Sequence, residues 1–131
     1  MVRRQNESGY IALLSVLIVG AAATAIGLVL LTTGADSQRS VLVEQQSKQA
    51  RALAVACGEE ALQLVHDNVA FSGTNTLTVG QGTCNYLVAV TAATTRTITV
   101  SGTVGSVVKK IVMYVTIGTS SISITSWQEV G

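Results

Sequence analysis

Apolar and polar residues follow three successive patterns along this chain. From Tyr10 to Thr33 nearly every position is apolar or small, and no charged residue stands between Glu7 and Asp36. A helix over these ~24 residues, at ~1.5 Å per residue, is long enough to cross the ~30 Å hydrocarbon core of a bilayer, so the pattern predicts a membrane-spanning helix. From Asp36 to Val65 there is no Pro and only one Gly, and Leu53, Ala56, Cys57, Ala61, Leu64 and Val65 recur at spacings of three and four. That stretch reads as a direct helical continuation with one apolar stripe that turns Cys57 inward. Gly58 weakens it by ~1 kcal/mol relative to Ala, and His66-Asp67-Asn68 ends it.

Beyond Asn68 the composition shifts to Thr, Val, Ser, Gly and Ile, which favours strands separated by turns. The pattern predicts strands over 76–79, 85–91, 95–101, 107–117 and 121–127. Ile98 and Val100 alternate with Thr97, Thr99 and Ser101, and Ile122 and Ile124 alternate with Ser and Thr. One face is therefore apolar and the other hydroxyl-rich, as in a sheet covered by a helix on one side. Links as short as Ala92-Ala93-Thr94 and Gly118-Thr119-Ser120 permit hairpins only, hence an antiparallel meander. The expected fold class is α+β, a long N-terminal helix packed on a small antiparallel β-meander. It is parsed as a leader over 1–9, a transmembrane helix over 10–34, its amphipathic continuation over 35–68 and a β head over 69–131.

Composition narrows the picture. A head of about 65 residues buries a thin core and needs a further stabilising device. In an exported chain Cys57 and Cys84 read as one disulfide; two buried free thiols are the alternative. With eight basic and seven acidic residues the net charge is +1, and no basic stripe supports nucleic-acid binding. The cluster Gly20 to Gly27 places the small residues Gly20, Ala23 and Gly27 where another helix backbone can approach closely, or is simply tolerated in a membrane helix.

Catalytic and metal chemistry find little to work with, and no enzyme activity or cofactor is expected. The single histidine, His66, adjoins Asp67, but triad members converge from different elements. Glu59 and Glu60 point ~100° apart on a helix, which forms no metal clamp. One His and two distant Cys do not make a four-ligand zinc site. Gly80-Gln81-Gly82 lacks the Lys-Ser/Thr of a phosphate loop and reads as a turn before Cys84. Trp127, on the last strand, reads as core cover or helix packing, with a surface anchor for a partner as the alternative.

The leader with Arg3 and Arg4, its end at Glu7-Ser8-Gly9, the Tyr10-Ile11 that follows, and the helix running on into a β module together resemble the type IV pilin-like proteins. The resemblance implies that a prepilin peptidase cuts after Gly9 and methylates Tyr10, a position usually Phe in the family. It further implies a non-catalytic subunit of a type IV pilus or a type II secretion-like pseudopilus. The partners it implies are membrane lipid before assembly, an inner-membrane assembly platform and other pilin-like subunits contacted through the N-terminal helix. Leu14 departs from the pattern, because the fifth residue after the cut is usually Glu. A carboxylate in lipid costs several kcal/mol unless paired, and in the family it faces the N-terminal amine of a neighbour. Leu14 makes no such contact, which the resemblance associates with minor, tip or priming subunits. Arg3 and Arg4 hold the leader cytoplasmic, giving a single-pass inner-membrane protein with an exported head, and a cell-surface filament after assembly.

A second reading is an exported binding module with a conventional signal peptide, cut at Ala21-Ala22-Ala23 or Ala23-Thr24-Ala25. That cut leaves the apolar run Ile26 to Leu31 at or beside the new N-terminus. A third is an uncleaved single-pass anchor.

Overall fold

The computed structural model describes residues 2–131, with side chains from Ser8 onward; the side chains of Arg3 and Arg4 lie outside the described residues. One helix, α1 (Val2–Asp67), is followed by β1 (Gly73–Val79), β2 (Gly82–Ala92), β3 (Thr95–Val104), β4 (Val107–Ile117) and β5 (Ile122–Val130). The chain divides into two compact units, Met1–Val41 and Leu42–Gly131. The fold class is the expected one: a long apolar N-terminal helix and a five-stranded antiparallel meander in the order β1-β2-β3-β4-β5.

In the second unit the helix lies on one face of the sheet. Ala50, Ala54, Cys57, Ala61 and Val65 form its fully buried seam, facing Cys84, Tyr86 and Val88 of β2, Ile98 and Val100 of β3, and Ile111, Met113 and Val115 of β4. The expected stripe is corrected at one position: Ala56 is exposed, and Ala50 and Ala54 take the buried places. Spacings of four, three, four and four from Ala50 follow the 3.6-residue period more closely than a set that includes Ala56.

Small residues in this seam bring the helix close to the sheet. A Cβ built on Gly102 of β3 meets the Ala50 carbonyl oxygen and lies 2.8 Å from the Ala54 nitrogen. Gly58 is buried for the same reason, since a Cβ there lies 2.8 Å from Cε of Met113. The sequence presents Gly58 only as a weak point of the helix; its place in the fold is to make room for Met113.

β4 has the predicted bounds, whereas the other strands differ from expectation by one to three residues at one or both ends. The extensions at the β1–β2 and β3–β4 hairpins come from two-residue turns. Gly80 and Gly105 each occupy the first turn position with φ of 60°, the left-handed backbone that a type II′ turn requires and glycine adopts without strain. β5 carries a bulge between its pairings with Tyr114 and Val115. The extra residue, Thr125, shifts the alternation, so that Trp127, opposite Met113, shares the helix-bearing face with Ile122 and Ile124. Simple alternation from Ile122 places Trp127 on the other face.

Candidate functional site

The first unit carries the candidate residues of the apolar helix. Between Tyr10 and Thr33 the side chains are exposed all around the helix, which contains an 18-residue window of mean hydropathy 2.5 and is long and apolar enough to cross a membrane. Its hydroxyls are turned back onto the helix. Ser15 donates to the Ile11 carbonyl at 2.9 Å, Thr24 to Ala21 at 2.8 Å, and Thr32 and Thr33 both to Val29 at 2.9 and 2.8 Å. Lipid offers no hydrogen-bond partner, so this local pairing lets hydroxyls sit in an apolar surface at little cost.

Gly9 and Tyr10 lie within α1, and Tyr10 is exposed. At ~100° per residue, Gly20, Ala23 and Gly27 fall within an arc of about 60°, and a Cβ on Gly20 or Gly27 meets nothing within 4 Å. The three form one face open to a neighbouring helix. Leu14 stands about 120° from Gly20 around the axis and is not part of that face.

In the second unit the structure brings together two candidates that are 27 positions apart in the sequence. Cys57 and Cys84 meet as a disulfide pair with Cα atoms 6.2 Å apart. The pair ties α1 to β2, and Cys84 lies directly opposite Gly102 in the sheet register. The clamp therefore sits beside the closest helix-to-sheet approach. Glu129 on β5 adds an outer tie, accepting from Arg51 of the helix at 3.2 Å and lying 3.9 Å from Lys109 of β4. Such surface pairs contribute ~0–1 kcal/mol each.

Arg96 is a structural residue the sequence reading passes over. It is only 6% exposed and has no carboxylate partner among the described residues. Its Nη1 donates to the carbonyls of Ala92 at 2.9 Å and Thr95 at 3.0 Å, its Nη2 to the Val69 carbonyl at 3.0 Å, and its Nε is buried without a partner. The guanidinium thus staples the α1–β1 connection to the β2–β3 turn. The sequence holds a signal for this, since Arg96 is in phase with the inward Ile98 and Val100. Replacing Arg96 with Met leaves three carbonyls to find other donors, and the expected cost is ~2 kcal/mol. Amide hydrogen exchange should accelerate in residues 68–72; unchanged exchange there contradicts the staple.

The opposite face of the sheet is hydroxyl-rich along β1 and β3, as expected, whereas Leu87 of β2, Val108 and Tyr114 of β4 and Val130 of β5 add exposed apolar side chains to it. Thr97, Thr99, Ser101 and Thr103 line it along β3, with Thr74, Thr76 and Thr78 on β1 in the same phase. Cross-strand hydroxyl pairs form there, Thr91 with Thr97 at 2.7 Å and Thr116 with Thr125 at 2.9 Å, and Ser101 donates to Asn85. Three shallow clefts are lined by described residues. One of about 420 Å³ lies between Gln49, Ala52 and Leu53 and the β1–β2 turn. A second, about 320 Å³, lies between Leu62, Gln63 and His66 of the helix and Ile122 and Ile124 of β5, and a third, about 210 Å³, between His66, Val69 and the β4–β5 connection. His66 itself is exposed, with Nδ1 3.5 Å from the Asp67 carboxylate. Among the described residues no three His, Cys, Asp or Glu side chains gather where they could hold a metal. No protein-family model, no curated protein and no solved structure matches this chain.

Proposed function

We propose that the chain is a pilin-like structural subunit, held in the membrane by its apolar helix, cut after Gly9 and then drawn into a filament or its initiating complex. The observation that carries this reading is the Ser8-Gly9-Tyr10-Ile11 junction at the head of a helix that is exposed and apolar for more than a bilayer thickness and continues unbroken to Asp67. Once cut, such a helix exchanges lipid contacts for contacts with sibling helices, and the face of Gly20, Ala23 and Gly27 admits a close neighbour. Lipid and sibling helices are similarly apolar, so the exchange is driven by packing and remains nearly balanced until other contacts tip it. The head adds no catalysis to this role; its disulfide and close helix-to-sheet packing make it a rigid body suited to a lattice.

Leu14 supports a minor position in the assembly. With no carboxylate there, this subunit does not neutralise the amine of a neighbour already in place, a defect that matters least for a subunit that starts or caps the structure.

A substitution at the junction tests the reading. Gly9→Val should keep the chain at its full precursor mass in the membrane and remove it from the sheared surface-filament fraction, where the parent chain is recovered. Equal recovery of the two chains in that fraction contradicts the proposal.

A further inference from the structure

The cleft between the last turns of α1 and β5 selects one kind of occupant by its chemistry. Its floor is apolar, formed by Leu62 of the helix and by Ile122 and Ile124 of β5, and its polar lining is Glu59, Gln63 and His66. All six residues belong to the second unit. The floor is open because a helix ~10–12 Å across does not span five strands ~4.8 Å apart. The helix seam faces β2, β3 and β4, and Ile124 on the same face of β5 is left 46% exposed. At about 320 Å³ the cleft stands at the lower end of the ~300–1,000 Å³ of ligand pockets, room for one long side chain and little more.

The polar groups of the cleft are acceptors in want of donors. Glu59 makes no ion pair among the described residues. The amide nitrogen of Gln63 donates to the Asp67 carboxylate at 3.0 Å, which orients the amide and leaves its oxygen free to accept. His66 turns Nδ1 toward the same carboxylate at 3.5 Å. The surrounding field has one sign. Glu59, Glu60 and Asp67 stand in the last turns of α1, whose final carbonyls carry the negative end of the helix dipole, and no lysine or arginine occurs between Arg51 and Arg96. Arg51 is engaged by Glu129 toward the other end of β5, and Arg96 meets the neighbouring, smaller cleft only through the Val69 carbonyl that it caps.

An apolar side chain in this cleft strands the Glu59 carboxylate and the Gln63 oxygen, and an acidic one adds like charge. A cation on an apolar stem meets both demands, since its methylenes cover Leu62, Ile122 and Ile124 while its head reaches the acceptors. Lysine supplies a point charge, whereas the planar fork of arginine presents several N–H donors to separate acceptors. A free small cation finds too few contacts in so shallow a cleft; a side chain carried by a protein gains the rest from the surface around it, and arginine is a frequent anchor of that kind. We infer that this cleft is a socket for an arginine side chain of a partner protein, with Glu59 as its carboxylate, Gln63 as a second acceptor and Ile122 and Ile124 under its stem. The socket belongs to the head and does not depend on how the chain is anchored or cut.

Nuclear magnetic resonance of the full, disulfide-bonded chain in neutral detergent tests it, observing isoleucine methyls and backbone amides. The probe is an acetylated and amidated alanine pentapeptide with a central arginine. The same peptide with a central glutamine, and free putrescine, are compared with it at constant ionic strength. The arginine peptide should shift the Ile122 and Ile124 methyls and the amides of residues 59–66 saturably, and leave the buried Ile98 and Ile111 methyls unmoved. Glu59→Gln should weaken its binding about 10-fold, the loss of one charge-assisted hydrogen bond, whereas Glu60→Gln, at a residue that does not line the cleft, should weaken it less than about 2-fold. Equal losses in the two variants, equal binding of the glutamine peptide, or the lack of a saturable shift overturns the socket. Equal binding of putrescine overturns arginine as its occupant, because the cleft then reads charge alone.

Discussion

Gly102→Ala should destabilise the head by about 3 kcal/mol or more, toward the upper end of what overpacking costs. The reason is what the new methyl meets. At Gly58 the obstacle is the end of a flexible methionine side chain, which can swing aside; at Gly102 it is the backbone of α1 at Ala50 and Ala54. A helix backbone has no rotamer to change, so the whole helix must lift from β3, and the seam through Cys57, Ala61 and Val65 loosens with it. Chemical denaturation of the full chain in detergent, read on the near-ultraviolet signal of Tyr86 and Trp127, should show the loss. A Gly58→Ala variant measured alongside should lose appreciably less. Equal losses at the two sites contradict the ranking.

Removing the disulfide is the second large effect. Cys57→Ser with Cys84→Ser opens a loop of 27 residues, which by the chain-entropy model costs ~3–4 kcal/mol and, for a domain of this size, lowers Tm by more than about 10 °C. Reductant should reproduce this on the parent chain and leave the serine variant unaffected. The two largest effects are also coupled, since Cys84 stands opposite Gly102 and Cys57 belongs to the helix that Gly102 admits. Combining Gly102→Ala with the serine pair should therefore cost less than the sum of the separate losses, because a helix already lifted from β3 has less for the disulfide to hold. Strict additivity contradicts a shared seam.

The fold was legible wherever periodicity was long and unbroken. The apolar run from Tyr10, the Asp67 end of the helix, the full extent of β4 and the meander order all follow from pattern and link length alone. What escaped had physical causes of its own. Ala54 falls within the helical arc of Cys57, Ala61 and Val65 and Ala56 falls outside it, so here the period held a signal that the looser stripe of spacings three and four passed over. Gly102 looks like any small residue in a Thr/Val-rich strand, because the close helix approach that demands it is a tertiary fact. The bulge at Thr125 leaves no mark in an alternating Ser/Thr/Ile run, yet it decides which face Trp127 joins. Arg96 had a readable signal in its phase with Ile98 and Val100, but a charge is not expected inside, and its partners are backbone carbonyls that no sequence pattern displays. The assembly residues are a different matter. Gly9, Tyr10 and Leu14 are visible as a junction motif, and the roles proposed for them involve a peptidase and neighbouring subunits instead of contacts within the chain.

The central claim, that this chain is a processed, membrane-anchored subunit, is tested most directly by the intact mass and N-terminal sequence of the protein from native membranes, with and without the organism's prepilin peptidase. A chain starting at methylated Tyr10 only when the peptidase is present is the predicted result. A start at Thr24 or Ile26, or an uncut Met1 in both preparations, contradicts it.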